Sequence, residues 1–562
     1  MSLQKKKTQP EYKFTIRKRL PLAALLGFAY SFTFILFAVF ELTVSNLAEL
    51  PFSFRDVIMP TVLCSILLFC IISGILLAVR GKGFVIVLSI FTGLLLAGYL
   101  QGNFLNLNLG ELTGDAIAWE KYTLHAVVNT ILWILVSAAP LLLFYIRKSI
   151  WEKAVYILPA LLIGMQAVAL FTLFMNNDVT SKTSNSYLSE EGIFELSDDE
   201  NVLVFLVDRL DGRYIQEIME DDPEFFDQLD GFTYFPDHVS KYCRTYPSVP
   251  YMLTGNITFY EEPGEQFLDK AWAQNNGMLD TLRQNGFTTK LYLPDYYTYS
   301  DISQISEYAD NITNGEVVID SVELISKMLQ LAAFRNAPHV LKPTLWMSSS
   351  SFNAVETSPK YRCNDPRFYE NLKNHGLSVQ EDKKNFAFYH LNGCHNPYIL
   401  NENAENVPED QTSRIQNNKG VFKIIFDYLK QMKDLGLYKN ASIIITGDHG
   451  ESTDFSSPEK PITVGLFVKP AGSSEFSLKT SEVPVSHDNF PATVVQLAGI
   501  DSNAFGPSVF EVKLGDPFPK REFYYRITGD PGVLEKYEIT GDSRIFSNWK
   551  KVHTYDVAYI YA

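Results

Sequence analysis

Five long apolar runs occupy the first 175 residues, near Leu20–Phe40, Val57–Val79, Gly83–Leu100, Leu124–Ile146 and Ala154–Met175. A helix needs roughly 20 apolar residues to cross a bilayer core, so each run is long enough, or nearly so, to span. The third is the shortest. Neither the shorter apolar core nor the small-residue cleavage site of a removable signal peptide is evident. The runs predict a membrane domain of five helices over residues 1–175.

Charge gives the orientation. Lys5, Lys6, Lys7, Lys13, Arg17, Lys18 and Arg19 precede the first run, and Arg80, Lys82, Arg147, Lys148 and Lys153 occupy the even-side loops. The opposite loops hold only Arg55 and Lys121. Basic residues stay on the cytoplasmic side, so the N-terminus is expected inside and everything after Met175 outside, in a multi-pass protein of the cell membrane. If the third run failed to span, the later loops would change sides and the pattern would break. The runs carry almost no ionisable residues, which argues against a transporter. Five spans exceed what anchoring requires, so they either only anchor or also shape a site for a lipid. In the second case the loop Gln101–Thr123, with Trp119 and Tyr122, would lie at the outer interface.

Beyond residue 175 the composition is that of a soluble domain. The net charge of −16 gives no hint of nucleic-acid binding, which normally needs a basic face. Residues 176–200 are polar and read as a linker, and residues 201–562 as an extracytoplasmic domain. Asn201–Val207 and Ala441–Thr446 are continuous apolar runs rich in β-branched residues, the pattern of strands buried on both faces. Between them, helical stretches (Met278–Asn285, Gly420–Leu435) alternate with short strands (Thr289–Leu293, Asn385–Leu391). Such alternation predicts an α/β fold with a central, mostly parallel sheet flanked by helices. Glu522–Tyr561 reads as a small terminal sheet. Among Cys243, Cys363 and Cys394 at most one disulfide can form, and the absence of a CxxC pair argues against a thiolate zinc site.

Both central strands end in carboxylates: Asp208-Arg209 after the first, Gly447-Asp448-His449-Gly450-Glu451-Ser452 after the second. Sites in open α/β sheets lie beyond the carboxyl ends of the strands, so Asp208, Asp448 and His449 can converge from distant positions. Two carboxylates and an imidazole suit one divalent metal, Mn²⁺ or Zn²⁺. Asp208 alone would equally serve as a helix N-cap for the segment beginning near Gly212. Tyr242-Cys-Arg-Thr-Tyr-Pro-Ser-Val-Pro250 supplies candidate nucleophiles, and a Thr hydroxyl needs activation by a base or a metal.

Val-Asp-Arg after a buried strand, Thr-x-x-Ser-x-Pro and Gly-Asp-His-Gly-Glu-Ser together resemble the sulfatase-type branch of the alkaline phosphatase superfamily. Within it the chain resembles lipoteichoic acid synthases and phosphoethanolamine–lipid A transferases, which also have five spans and an outward catalytic domain. The resemblance implies Thr245 as nucleophile and metal ligand, Asp208, Asp448 and His449 as the other protein ligands, and His395 as a phosphate contact or proton carrier. His487 would be a secondary contact or a structural residue, and His238 structural. Two departures bear on the substrate more than on the reaction class: Asp208 stands where the transferases usually have Glu, and Thr453–Val464 lacks their further His.

The resemblance implies transfer of a phospho-alcohol group, phosphoglycerol or phosphoethanolamine, from a membrane phospholipid to a cell-envelope glycan or lipid through a phospho-Thr intermediate. A phosphodiesterase, a sulfuric ester hydrolase and a non-catalytic envelope binding protein are the alternatives. Sulfatases generally need Cys-x-Pro-x-Arg or its Ser equivalent, and Cys243-Arg-Thr-Tyr-Pro247 breaks that pattern.

Overall fold

The computed structural model describes residues 15–556, apart from 48–49, 51, 108, 110–116, 118, 178, 180–185, 258–263, 316–317, 348–350, 353–354, 382, 453–455, 516–517 and 528–531. Lys5, Lys6, Lys7 and Lys13, part of the 176–200 segment and the last residues of Glu522–Tyr561 lie outside the described residues. The chain forms two compact units, one of residues 1–183 and 317–358, the other of 184–316 and 359–562.

Among the described residues, the first unit contains five helices long and apolar enough to cross a membrane: Ile16–Ser45, Phe54–Ala78, Gly81–Leu105, Trp119–Ile146 and Lys148–Asn176. Each begins before the apolar run that predicts it, and the second ends one residue short of its run, at Ala78. Arg19 is buried and donates to the carbonyls of Leu77 and Val79 at 3.2 and 2.7 Å. It thereby satisfies acceptors that the end of the second helix leaves open. Residues 317–358 fold into this unit. Their helix Ser321–Asn336 buries Leu324, Met328 and Ala332, which join Val39, Val44 and Val57 of the spans in one apolar cluster. Arg335 pairs with Glu41, the acid near the end of the first span.

The second unit is built on a seven-stranded sheet. Its strands are β1 (Asn201–Val207), β2 (Thr233–Tyr234), β3 (Phe287–Tyr292), β4 (Lys384–Leu391), β5 (Ala441–Thr446), β6 (Leu466–Lys469) and β7 (Lys479–Thr480). The spatial order is β7-β2-β6-β5-β1-β4-β3. β5, β1, β4 and β3 run parallel, and β6 is antiparallel to both of its neighbours. β1 and β5 are buried along their whole lengths, as their unbroken apolar composition demands. Helices Gly212–Asp221 and Arg414–Asp434 contribute to the core on one face and helices Thr245–Thr254, Met278–Gln284 and Phe490–Leu497 to the core on the other. Three further strands, β8 (Arg521–Ile527), β9 (Val533–Ile539) and β10 (Trp549–Asp556), form an antiparallel sheet. Within the 176–200 segment, Ser186–Leu188 and Glu195–Ser197 pair with Ile312–Asn314 and Ser378–Gln380.

Candidate metal centre and nucleophile

The parallel pairing of β1 with β5 aligns Leu206 with Thr446, so the two chains leave the sheet side by side. Asp208 and Asp448 follow directly and are both buried. Asp448 Oδ1 accepts from the backbone N–H groups of Arg209 and His449 at 2.9 and 2.8 Å. Reaching it requires Arg209 to adopt φ 57°, a left-handed conformation that costs a bulky residue about 1 kcal/mol or more. Among the described residues, Asp448 Oδ2 and Asp208 Oδ1 have no hydrogen-bond partner although both are buried. His449 Nδ1 lies 2.7 Å from the Gly450 carbonyl. That contact places the ring proton on Nδ1 and leaves the Nε2 lone pair facing the carboxylates, 3.8 Å from Asp208 Oδ1 and 3.6 Å from Asp448 Oδ2.

Ligand atoms of Asp208, Asp448 and His449 all lie within 4.8 Å of one another. Two orphaned carboxylate oxygens and an imidazole nitrogen, all buried, form an arrangement that is costly unless a cation completes it. The donor set fits a divalent metal of the Mn²⁺ or Zn²⁺ kind.

Thr245 opens the helix Thr245–Thr254. Its Oγ1 lies 3.3 Å from Asp208 Oδ2 and 3.2 Å from His449 Nε2, beside the same cluster. A helix N-terminus favours negative charge, which suits both an ionising hydroxyl and the oxygens of an ester anion.

Burial pushes the Asp208 carboxyl up, but a hydrogen bond from His390 and the charges of His395, His449 and His390 reverse this and hold it below the usual range. For Asp448, burial and the neighbouring Asp208 charge raise it. One carboxylate is thus stabilised by imidazoles and the other strained by the first.

His390 is the participant that sequence reasoning missed. Its Nε2 lies 3.5 Å from Asp208 Oδ2, and neither ring nitrogen has a better hydrogen-bond partner. The signal exists only in the pairing of β1 with β4, which sets Leu206 opposite His390. Asp365 was also missed. Its two oxygens accept from the N–H groups of Asn392 and Gly393 at 2.8 Å each and hold the loop that leads from β4 to His395. Burial raises the Asp365 pKa to about 6 despite those bonds. In that loop Gly393 has φ 62°, and a Cβ there would lie 2.6 Å from the Asp208 nitrogen, so no larger residue fits.

His395 lies on the same side as Asp208, near enough for its charge to act on it, and its Nδ1 is 2.5 Å from the Asn396 carbonyl. The helix N-cap at Gly212 is Asp211, which accepts from Arg213 N at 2.8 Å, so Asp208 has no capping role. His487 is structural in its contacts: Nδ1 faces Lys241 N at 3.4 Å and Nε2 faces the Gly447 carbonyl at 3.0 Å. His238 contacts the Val464 carbonyl at 3.1 Å. None of the five cysteines is in a disulfide, Cys243 and Cys394 included.

Fold and site together define an α/β domain with a threonine beside a buried Asp–Asp–His centre. Residues 200–500, more than half the chain, match the family model described as Sulfatase. The chain belongs to the sulfatase family. No curated protein matches it in sequence.

Similar solved structures include an alkaline phosphatase superfamily protein from Vibrio parahaemolyticus, at 13% identity and TM-score 0.39, covering 66% of this chain and 84% of that one. The lipoteichoic acid synthase LtaP from Listeria monocytogenes aligns at 12% identity and TM-score 0.34, covering 62% and 83%. The phosphonate monoester hydrolase SpPMH from Silicibacter pomeroyi aligns at 12% and 0.35, covering 64% and 89%. Likenesses this distant assign no substrate.

Proposed function

We propose that this enzyme transfers a phospho-alcohol group, phosphoglycerol or phosphoethanolamine, from a membrane phospholipid to a hydroxyl of a cell-envelope glycan or lipid. The observation that carries the reading is the position of Thr245 Oγ1, 3.3 Å from Asp208 and 3.2 Å from His449 at a helix N-terminus. Asp208, Asp448, His449 and Thr245 would hold one divalent cation, Mn²⁺ or Zn²⁺. When bound, that cation lowers the pKa of the hydroxyl and offsets charge on the phosphoryl oxygens.

The chain's own residues carry the rest. Thr245 loses its hydroxyl proton to solvent, and its Oγ alkoxide attacks the phosphorus of the donor diester, forming a Thr O–P bond while the bond from phosphorus to the diacylglycerol oxygen breaks. His395 gives the departing alkoxide its proton. In the second half the acceptor hydroxyl gives its proton back to His395 and attacks the phospho-Thr, which regenerates Thr245. Asp365, by holding the loop that leads from β4 to His395, positions that imidazole without touching substrate. Water as acceptor would make the same site a phosphodiesterase.

The membrane setting supports a lipid donor. Among the described residues, Arg17, Lys18, Arg19, Arg80, Lys82, Arg147, Lys148 and Lys153 flank one set of helix ends. That distribution supports a cytoplasmic N-terminus and an outward catalytic domain. A sulfatase reaction is less well supported, because the Cys-x-Pro-x-Arg pattern is broken at Cys243.

The test is intact mass spectrometry of the full chain in detergent micelles, incubated with Mn²⁺ or Zn²⁺ and mixed phospholipids. An adduct on Thr245 that Thr245→Ala lacks is the expected result, and its mass names the transferred group. Absence of any adduct together with absence of bound metal would overturn the catalytic reading.

A further inference from the structure

In the helical unit Lys342 is a buried cation that has no counter-charge among the described residues. Lys342 begins the short helix Lys342–Leu345, in the segment that folds with the spans. The residue is 2% exposed, its ammonium donates to the Phe334 carbonyl at 2.5 Å, and it lies 4.5 Å from the centre of the Phe334 ring. Burial alone, with no carboxylate to oppose it, draws its pKa down to about 8.

His339 precedes it by three positions, one helical turn away. Its ring is surrounded by those of Trp119, Tyr122 and His125, with centroids at 5.9, 6.0 and 4.8 Å. The His339 N–H donates to Asn129 Oδ1 at 2.9 Å, which fixes the segment to the fourth span. His339 Nδ1 and His125 Nε2 are both buried and without a hydrogen-bond partner. Burial and the charges of His125 and Lys342 push the His339 pKa down. His125 and Lys342 thus lie near enough to His339 for their charges to act on it, with no acid paired to any of the three among the described residues, and two of them have an unused ring nitrogen. Buried charge and buried polar atoms persist where a partner completes them.

Trp119, Tyr122 and His125 are half-buried and lie on the first turns of Trp119–Ile146, of which only 11% is buried in the protein. That helix faces lipid, and Trp and Tyr favour the headgroup level.

We propose that Lys342, His339 and His125 form a binding site for the phosphate of a membrane phospholipid headgroup. The phosphate oxygens accept from the Lys342 ammonium, from His339 Nδ1–H and from His125 Nε2–H, bonds that charge makes strong. Basic pockets between membrane helices take headgroups by this chemistry. The five spans then bind lipid as well as anchor the chain, and the site stands whether or not Thr245 performs the proposed transfer.

The experiment uses the full chain, delipidated in detergent and titrated with phosphatidylglycerol in mixed micelles, with bound lipid counted by native mass spectrometry. The wild type is expected to retain one lipid. Lys342→Gln and His339→Phe, the second keeping the aromatic packing, are each expected to weaken retention about tenfold, the effect of losing one charge-assisted bond. Lys342→Arg, which keeps the charge, is expected to retain the lipid and shows that the fold survives change at this position. Equal retention by wild type, Lys342→Gln and His339→Phe would overturn the proposal. So would binding of inorganic phosphate without binding of lipid, since the site would then take a free anion. Thr245→Ala is expected to retain lipid as the wild type does, so failure of the transfer reading and failure of this site are separately visible.

Discussion

Replacing Asp448 with Asn tests the cation reading through stability, without a substrate. Asp448 is fully buried; one oxygen accepts two backbone N–H bonds, and the other has no partner and faces Asp208. Asn keeps the first oxygen and replaces the second with an amide that can donate toward Asp208. Leaving a buried charged atom unpaired costs about 1–3 kcal/mol, so without metal the variant is expected to be more stable by about 1–2 kcal/mol. A cation at a hundred times its dissociation constant adds about 2.7 kcal/mol to the protein that binds it. Wild type should therefore gain that increment with Mn²⁺ or Zn²⁺, and the variant should lose it along with a ligand. The assay is thermal unfolding of the full chain in detergent, in chelator and then over a cation titration. The expected result is a crossover: the variant melts higher in chelator, the wild type higher with cation. A variant that melts lower in chelator, or that gains as much from the cation, would refute the argument.

Four further outcomes are expected. Thr245→Ala should lower hydrolysis of a chromogenic phosphodiester about a thousandfold or more, whereas Thr245→Ser, which keeps a hydroxyl, should retain measurable turnover. His487 is held at a pKa of about 4 by its burial, below the ordinary value near 6.5. Its contribution to stability is complete above pH 6.5 and lost as pH falls toward 4, about 3 kcal/mol in all. Melting temperature measured between pH 7 and 4 should fall less steeply in His487→Gln than in wild type. Asp211 caps a helix, accepts from Glu451 N at 2.7 Å and pairs with Arg213 at 2.7 Å; Asp211→Ala should cost about 3–5 kcal/mol, read by denaturant unfolding. Alkylation in denaturant without reductant should label all five thiols, and a count of three would reveal a disulfide.

Much of the α/β core was legible because a strand buried on both faces cannot alternate. Asn201–Val207 and Ala441–Thr446 show this, and their neighbouring parallel placement explains why carboxylates 240 residues apart meet. The membrane spans were legible for the same reason on a larger scale, since only apolar side chains can face lipid. His390 was not legible, because its value depends on which strand lies beside β1, and strand order leaves no trace in local periodicity. Asp365 carries a similar lesson. Its neighbours Asn364 and Pro366 announce a helix start, and a carboxylate at a helix start is ordinary. Only the two N–H groups of the adjacent loop give it a larger task.

The segment 317–358 lies further still from what a pattern can tell. Leu324, Met328 and Ala332 recur at four-residue spacing, a stripe that would pack equally well on a sheet or on membrane helices. Nothing in that stripe chooses its partner. The choice is made by polar residues. Glu41 near the end of an apolar span demands a cation, Arg335 supplies it, and Asn129 takes the His339 N–H at 2.9 Å. Each of these residues is an exception to the pattern around it: an acid in an apolar run, a buried amide on a lipid-facing helix, a histidine among rings. Apolar periodicity therefore establishes that a segment will be buried, and the isolated polar residue it leaves unexplained indicates where. By that reasoning Lys342, a buried cation without a counter-charge among the described residues, is where the proposed headgroup would supply the missing partner.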